Sequence, residues 1–64
     1  MMLAMNVKRL RRRLGLTQAE LARRVKVSQA FIAQLETGEQ TNPTLDTVRR
    51  LAKALKVTVG ELVK

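Results

Sequence analysis

The run from residue 17 to residue 38, TQAELARRVKVSQAFIAQLETG, permits few folds. Two stretches carry apolar residues at helical spacing, and too few residues separate them for anything but a tight turn. Thr17 followed three residues on by Glu20 is the signature of a reciprocal N-terminal cap, so one helix starts there. Leu21, Ala22 and Val25 form its inner face, with the small Ala22 at the point where two helices must cross closely. Val25 and Val27 flank Lys26 where this helix ends. Ser28 is a good N-cap for the next helix, Ile32 and Leu35 point inward, and Gly38 stops it.

The flanks continue the helical pattern. Val7, Leu10 and Leu14 make one face of a first helix expected from about Asn6 to Leu14-Gly15, after a flexible arm over residues 1–5. GEQTNP, residues 38–43, is a polar loop whose Pro43 fixes the backbone before the next start. A fourth helix is expected from Thr44 to about Lys56. Its stripe is Leu45, Val48, Leu51, Ala52 and Leu55, with Arg49, Arg50 and Lys53 outward. A short fifth helix starts at Thr58, capped by Glu61, with Leu62 as its inward anchor. No internal repeat is evident in the letters. The expectation is an all-α, five-helix fold with residues 1–64 as a single domain.

A chain of 64 residues buries only about 60% of the surface its unfolded form exposes, so one core is possible and a deep substrate cavity is not expected. The net charge of +8 calls for a polyanionic partner. That charge is uneven: residues 8–26 hold eight of the thirteen Lys and Arg against Glu20 alone. Without Cys there are no disulfides or thiolate ligands, and without His a zinc ion would have only carboxylates. No metal, cofactor or catalytic cluster is expected. No apolar run approaches the ~20 residues of a membrane span, and the chain is read as cytoplasmic. The paired helices of residues 17–38 have the layout of a helix-turn-helix, in which the second helix lies in the major groove of double-stranded DNA.

With Gln18, Ala22, Ile32, Leu35, Glu36, Gly38 and the Asn42-Pro43-Thr44 step in view, the chain resembles the phage-repressor and Cro-like (XRE-type) helix-turn-helix family. LGLTQAELA, I-x-x-LE-x-G, NPTL and LAKALKV follow in order at the family spacing, over about residues 6–63. The resemblance implies a compact lambda-repressor-like domain that binds a pseudo-palindromic operator as a homodimer. Pairing occurs only on DNA in one version of this reading. The implied activity is sequence-specific transcription regulation, most simply repression, with 28–36 as recognition helix.

Carried over residue by residue, the family places Gln29, Ala30 and Gln34 on the side that reads base edges. Gln18 holds a phosphate and braces the recognition helix. Arg11 matches a first-helix arginine that pairs with the glutamate matched by Glu36, or serves phosphate instead. Arg12, Arg23 and Asn42 are the further phosphate contacts expected, and Val59, Leu62 and Val63 the dimer seam, although Leu62 equally suits closure of the core. Three positions depart from the family. Lys26 stands where the turn usually has Gly, Phe31 where many relatives are small or polar, and Glu39 in a loop that elsewhere carries basic residues.

The side chains limit what such a reader does. A glutamine amide matches the acceptor and donor that adenine presents in the major groove, whereas guanine's usual Arg or Lys partner is missing from residues 28–37. A half-site leaning towards A·T is expected. Ala30 is small enough to meet a thymine methyl or to admit the backbone close to the groove. Phe31 presses on such a methyl or covers the rim of the core. A different class of function is compatible with the same fold: an antitoxin that masks a protein toxin, or the controller of a restriction–modification locus.

Overall fold

Every helix but the first begins on a hydroxyl. The computed structural model describes residues 2–64, in which α1 (Leu3–Arg13), α2 (Gln18–Val25), α3 (Gln29–Thr37), α4 (Leu45–Ala54) and α5 (Val59–Val63) follow one another, with no strand among the described residues. Thr17, Ser28, Thr44 and Thr58 hold extended backbone at the N-caps, and each side chain accepts the backbone N–H three residues on. At Thr17 and Thr58 the cap is reciprocal: their own N–H groups donate to Glu20 and Glu61 at 2.9 and 3.0 Å. Those backbone hydrogen bonds hold both carboxyls below the usual range.

Three helices end in the same way. The chain turns into the left-handed region at Gly15 (φ 71°), Lys26 (φ 64°) and Lys56 (φ 60°). The following N–H then reaches back five residues, from Leu16 to Arg11, Val27 to Ala22 and Val57 to Ala52, at 3.1, 3.0 and 3.0 Å. This is the closed turn usually made with glycine. Lysine at two of the three carries a conformational cost of roughly 1 kcal/mol each, which the packing on either side offsets.

The last two of these turns reveal a repeat that the letters hide. Residues 21–32, LARRVKVSQAFI, align in sequence with 51–62, LAKALKVTVGEL. Four positions are identical and four exchange like for like. Leu21 and Leu51, Ala22 and Ala52, Val25 and Leu55, Ile32 and Leu62 are all buried. Ser28 and Thr58 then cap α3 and α5 alike. The turn between α2 and α3, with its cap and its buried positions, is therefore repeated between α4 and α5.

The core runs between the two units. α2 packs on α3 and on α4, α1 packs on α3 and α5, and α4 meets α5. Val7, Leu21, Val25, Ile32, Leu35, Leu51, Leu55 and Leu62 lose essentially all contact with solvent.

Three expectations are corrected. The first turn of α1 takes up most of the expected arm, because Leu3 lies one turn before Val7 on the same face and is buried; Met1 lies outside the described residues. Leu14 falls on the C-cap of α1 and is 37% exposed, while Leu16 beyond the turn is buried in its place. Leu45 is 59% exposed. It is the first residue of α4, and a helical side chain leans towards its own N-terminus, away from the turns whose Val48, Leu51 and Ala52 are buried.

Candidate nucleic-acid interface

Ile32 and Leu35 fix which side of α3 faces the core, and so which side is left outward. Both are fully buried, whereas Gln29, Ala30 and Gln34 are exposed. The side-chain amides of Gln29 and Gln34 therefore stand on a convex helix surface. Phe31 is half-buried against the edge of the core, the rim role rather than a free wedge.

The C-terminal end of α3 is locked from behind. Glu36 accepts Arg11 Nε on Oε2 at 2.6 Å, and Arg11 Nη2 and Gln18 Nε2 on Oε1 at 3.0 Å each. Arg11 Nη1 donates to the carbonyl of Leu16 at 2.8 Å. One carboxylate thus joins α1, α2 and α3, with side-chain exposures of only 10% for Arg11 and 3% for Glu36. Burial alone pushes the Glu36 carboxyl up. The hydrogen bonds from Arg11 and Gln18, with the charges of Arg11 and Lys8, outweigh it, and the net shift is downward. The Arg11 guanidinium is held above its ordinary value by the hydrogen bond to Glu36, against the opposing effect of its own burial.

This arrangement fits one of the two roles expected of Arg11, the brace. Arg11 donates from Nε, Nη1 and Nη2 to Glu36 and Leu16 and is buried between the helices it joins. Gln18 does brace α3, and the second hydrogen of its Nε2 remains available at the start of α2. Arg12 and Arg23 are exposed. Asn42 is exposed in the loop after α3, where its N–H donates to Gln40 Oε1 at 3.1 Å and the Gln40 N–H donates to the carbonyl of Gln34 at 3.0 Å. The loop is thereby folded back on α3.

Of the residues expected at a dimer seam, Leu62 is fully buried in the chain's own core and is withdrawn from any outer surface. Val59 and Val63 are half-buried beside it. Two positioning residues escaped the sequence reading. Asn6 Nδ2 donates to the carbonyl of Leu62 at 2.8 Å, tying α1 to the end of α5. Arg50 Nη1 donates to the carbonyl of Val25 at 3.3 Å, tying α4 to the end of α2. An asparagine inside a helix is a poor helix former, and this was the one available hint for Asn6; Arg50 gave none among its basic neighbours.

A family model described as helix-turn-helix matches residues 7–62. The chain belongs to the XRE-type helix-turn-helix family. An uncharacterised HTH-type transcriptional regulator of Sinorhizobium fredii is 48% identical to this helix-turn-helix domain over 58 residues, covering 91% of this chain and 74% of that protein. A second, from Coxiella burnetii, is 36% identical over 61 residues, covering 95% of this chain but 28% of that protein. The domain thus spans well under two thirds of the longer relative. In solved structures it is similar to SinR, the master regulator for biofilm formation, in complex with DNA. The TM-score is 0.92 at 27% identity, over 98% of this chain and 100% of that one. SinR has also been solved with the protein SinI.

Proposed function

We propose that the chain is the DNA-binding unit of a transcriptional regulator and reads its operator through the outward face of α3. The observation that carries this reading is the pairing of an exposed Gln29, Ala30 and Gln34 with a buried three-helix lock behind Glu36. A helix that reads base edges must hold its side chains in register with the groove, and a brace on its far end provides that. The regulators named above, and the DNA-bound structure, favour this reading over an antitoxin or a restriction controller.

On this reading Gln29 and Gln34 read adenine, and Ala30 lets the helix approach a thymine methyl. Gln18, Arg12, Arg23 and Asn42 hold phosphates. The regulator acts in the cytoplasm, and its simplest mode is repression, by occupying an operator that overlaps a promoter. A 64-residue domain makes few contacts on one half-site, so two copies pair on half-sites about one helical turn apart, with Val59 and Val63 at the seam.

Selection of binding sites from a random duplex pool at physiological salt tests this. An inverted repeat with A·T pairs under α3 is expected. Retention that is salt-sensitive but yields no motif would remove the reading function, and half-sites dominated by G·C would remove the roles given to Gln29 and Gln34.

A further inference from the structure

The flank of α2 that faces α4 carries a second concentration of charge. A groove of about 460 Å³ lies between the ends of the two helices, with Arg24 and Lys26 on one wall, Arg50 and Lys53 on the other, and Ala54 half-buried between them. All four basic side chains are exposed. Arg50 is engaged twice, with the Val25 carbonyl and with Asp46. Arg24, Lys26 and Lys53 have no ion-pair partner among the described residues, whose salt bridges are Arg11–Glu36 and Arg50–Asp46. The groove lies on the α2–α4 side of the domain, and none of Gln29, Ala30 and Gln34 lines it.

From this arrangement we infer that the α2–α4 groove is a docking site for an acidic peptide segment of a partner protein, distinct from the DNA-reading face. Cations on two opposed walls fit one extended anionic chain lying between them. In such a chain alternate side chains point the same way, so glutamates at every second position would reach the rims while a small apolar residue meets Ala54.

Other occupants fit less well. Single-stranded nucleic acid binds on aromatic platforms, and the sole aromatic residue, Phe31, lies on α3 and is half-buried. A second copy of the chain brings a charge of +8. Of its own carboxylates, Glu20 and Glu61 are held in capping boxes, Glu36 in the lock and Asp46 by Arg50, which leaves Glu39 alone.

The test is an amide NMR titration of the whole chain with a short peptide of alternating glutamate and alanine, in about 0.1 M salt. Saturable shifts confined to Arg24, Lys26, Lys53 and Ala54 are expected, and none with a glutamine–alanine peptide. The double variant Arg24→Gln/Lys53→Gln alters only exposed side chains. It should weaken peptide binding at least tenfold while leaving the amide spectrum of the core unchanged. A duplex bound through α3 should leave the peptide shifts in place. Equal shifts at Lys8, Arg9 and Arg12 would reduce the groove to ordinary counterion screening. Displacement of the peptide by duplex, or stronger binding of a single-stranded oligonucleotide at the same residues, would make it a nucleic-acid surface. The peptide titration uses the free protein, so its failure is distinguishable from a failure to read DNA.

Discussion

Replacing Arg11 by methionine should be the most damaging single change to the lock behind α3, and its size follows from the contacts. The variant keeps most of the aliphatic bulk but removes three donors. The Leu16 carbonyl loses its partner, and Glu36, with 3% of its side chain exposed, keeps only the hydrogen bond from Gln18. Stranding one charge of a buried pair costs about 3–5 kcal/mol, and the surviving Gln18 contact argues for the lower end. A domain of this length has a total stability of roughly 3–10 kcal/mol, so the variant would be close to unfolding and its Tm lower by ~12–24 °C.

Urea denaturation followed by circular dichroism measures the difference, and its pH dependence tests the cause. In the parent, the Glu36 carboxyl is held below its unfolded value. It therefore stabilises the fold above the unfolded carboxylate range, and this contribution fades as pH falls through the lower, folded value. In the variant the same carboxyl sits in a buried site without its cation, so acid should relieve the penalty. The gap between parent and variant should narrow steadily below about pH 5. The double variant Arg11→Met/Glu36→Leu, which removes both charges, should recover to within about 2 kcal/mol of the parent. A single variant that melts within 1 kcal/mol of the parent, or a gap that does not change with pH, would refute the claim that a buried charge is what the lock depends on.

Lys26→Gly and Lys56→Gly should each leave the fold intact and change stability by less than about 1 kcal/mol, because relief at positive φ is set against the extra freedom glycine gives the unfolded chain; thermal melts decide. On a selected operator, Gln29→Ala should cost about 1–3 kcal/mol and relax preference at one base pair. Arg23→Ala should instead weaken binding evenly across sequences and flatten the log–log salt slope by about 0.9, both measured by fluorescence anisotropy. Leu51→Ala should destabilise by about 2–5 kcal/mol and Leu45→Lys by less than 0.5, although the sequence places both leucines on one stripe.

What could be read from the sequence divides by physical range. The caps at Thr17, Ser28 and Thr58, the stop at Gly38 and the inward pairs Leu21–Val25 and Ile32–Leu35 depend on neighbours within a turn or two, and the letters carry them. The limits of burial at Leu3, Leu14 and Leu45 depend on how far the opposing helix extends, which periodicity does not encode. The lock is intermediate. Arg11 sits one turn after Val7, a charged residue in an apolar register, yet its partner Glu36 is 25 residues away and was reached through the family resemblance alone. Asn6 and Arg50 reach carbonyls 56 and 25 residues away, and neither contact leaves a local trace. The repeat was hidden because its exchanges, Ser for Thr and Val for Leu, preserve the turn while changing the letters.

The two turns at Lys26 and Lys56 separate the body of this domain from its address. Each elbow places demands on the leucine and alanine before the bend, the lysine and valine at it, the hydroxyl after it and one apolar residue in the next turn. It makes no demand on what the second helix shows to the outside. At α3 that freedom holds amides, and at α5 it holds glycine and glutamate. The outward letters can therefore be rewritten, towards another operator or towards none, with the fold left standing.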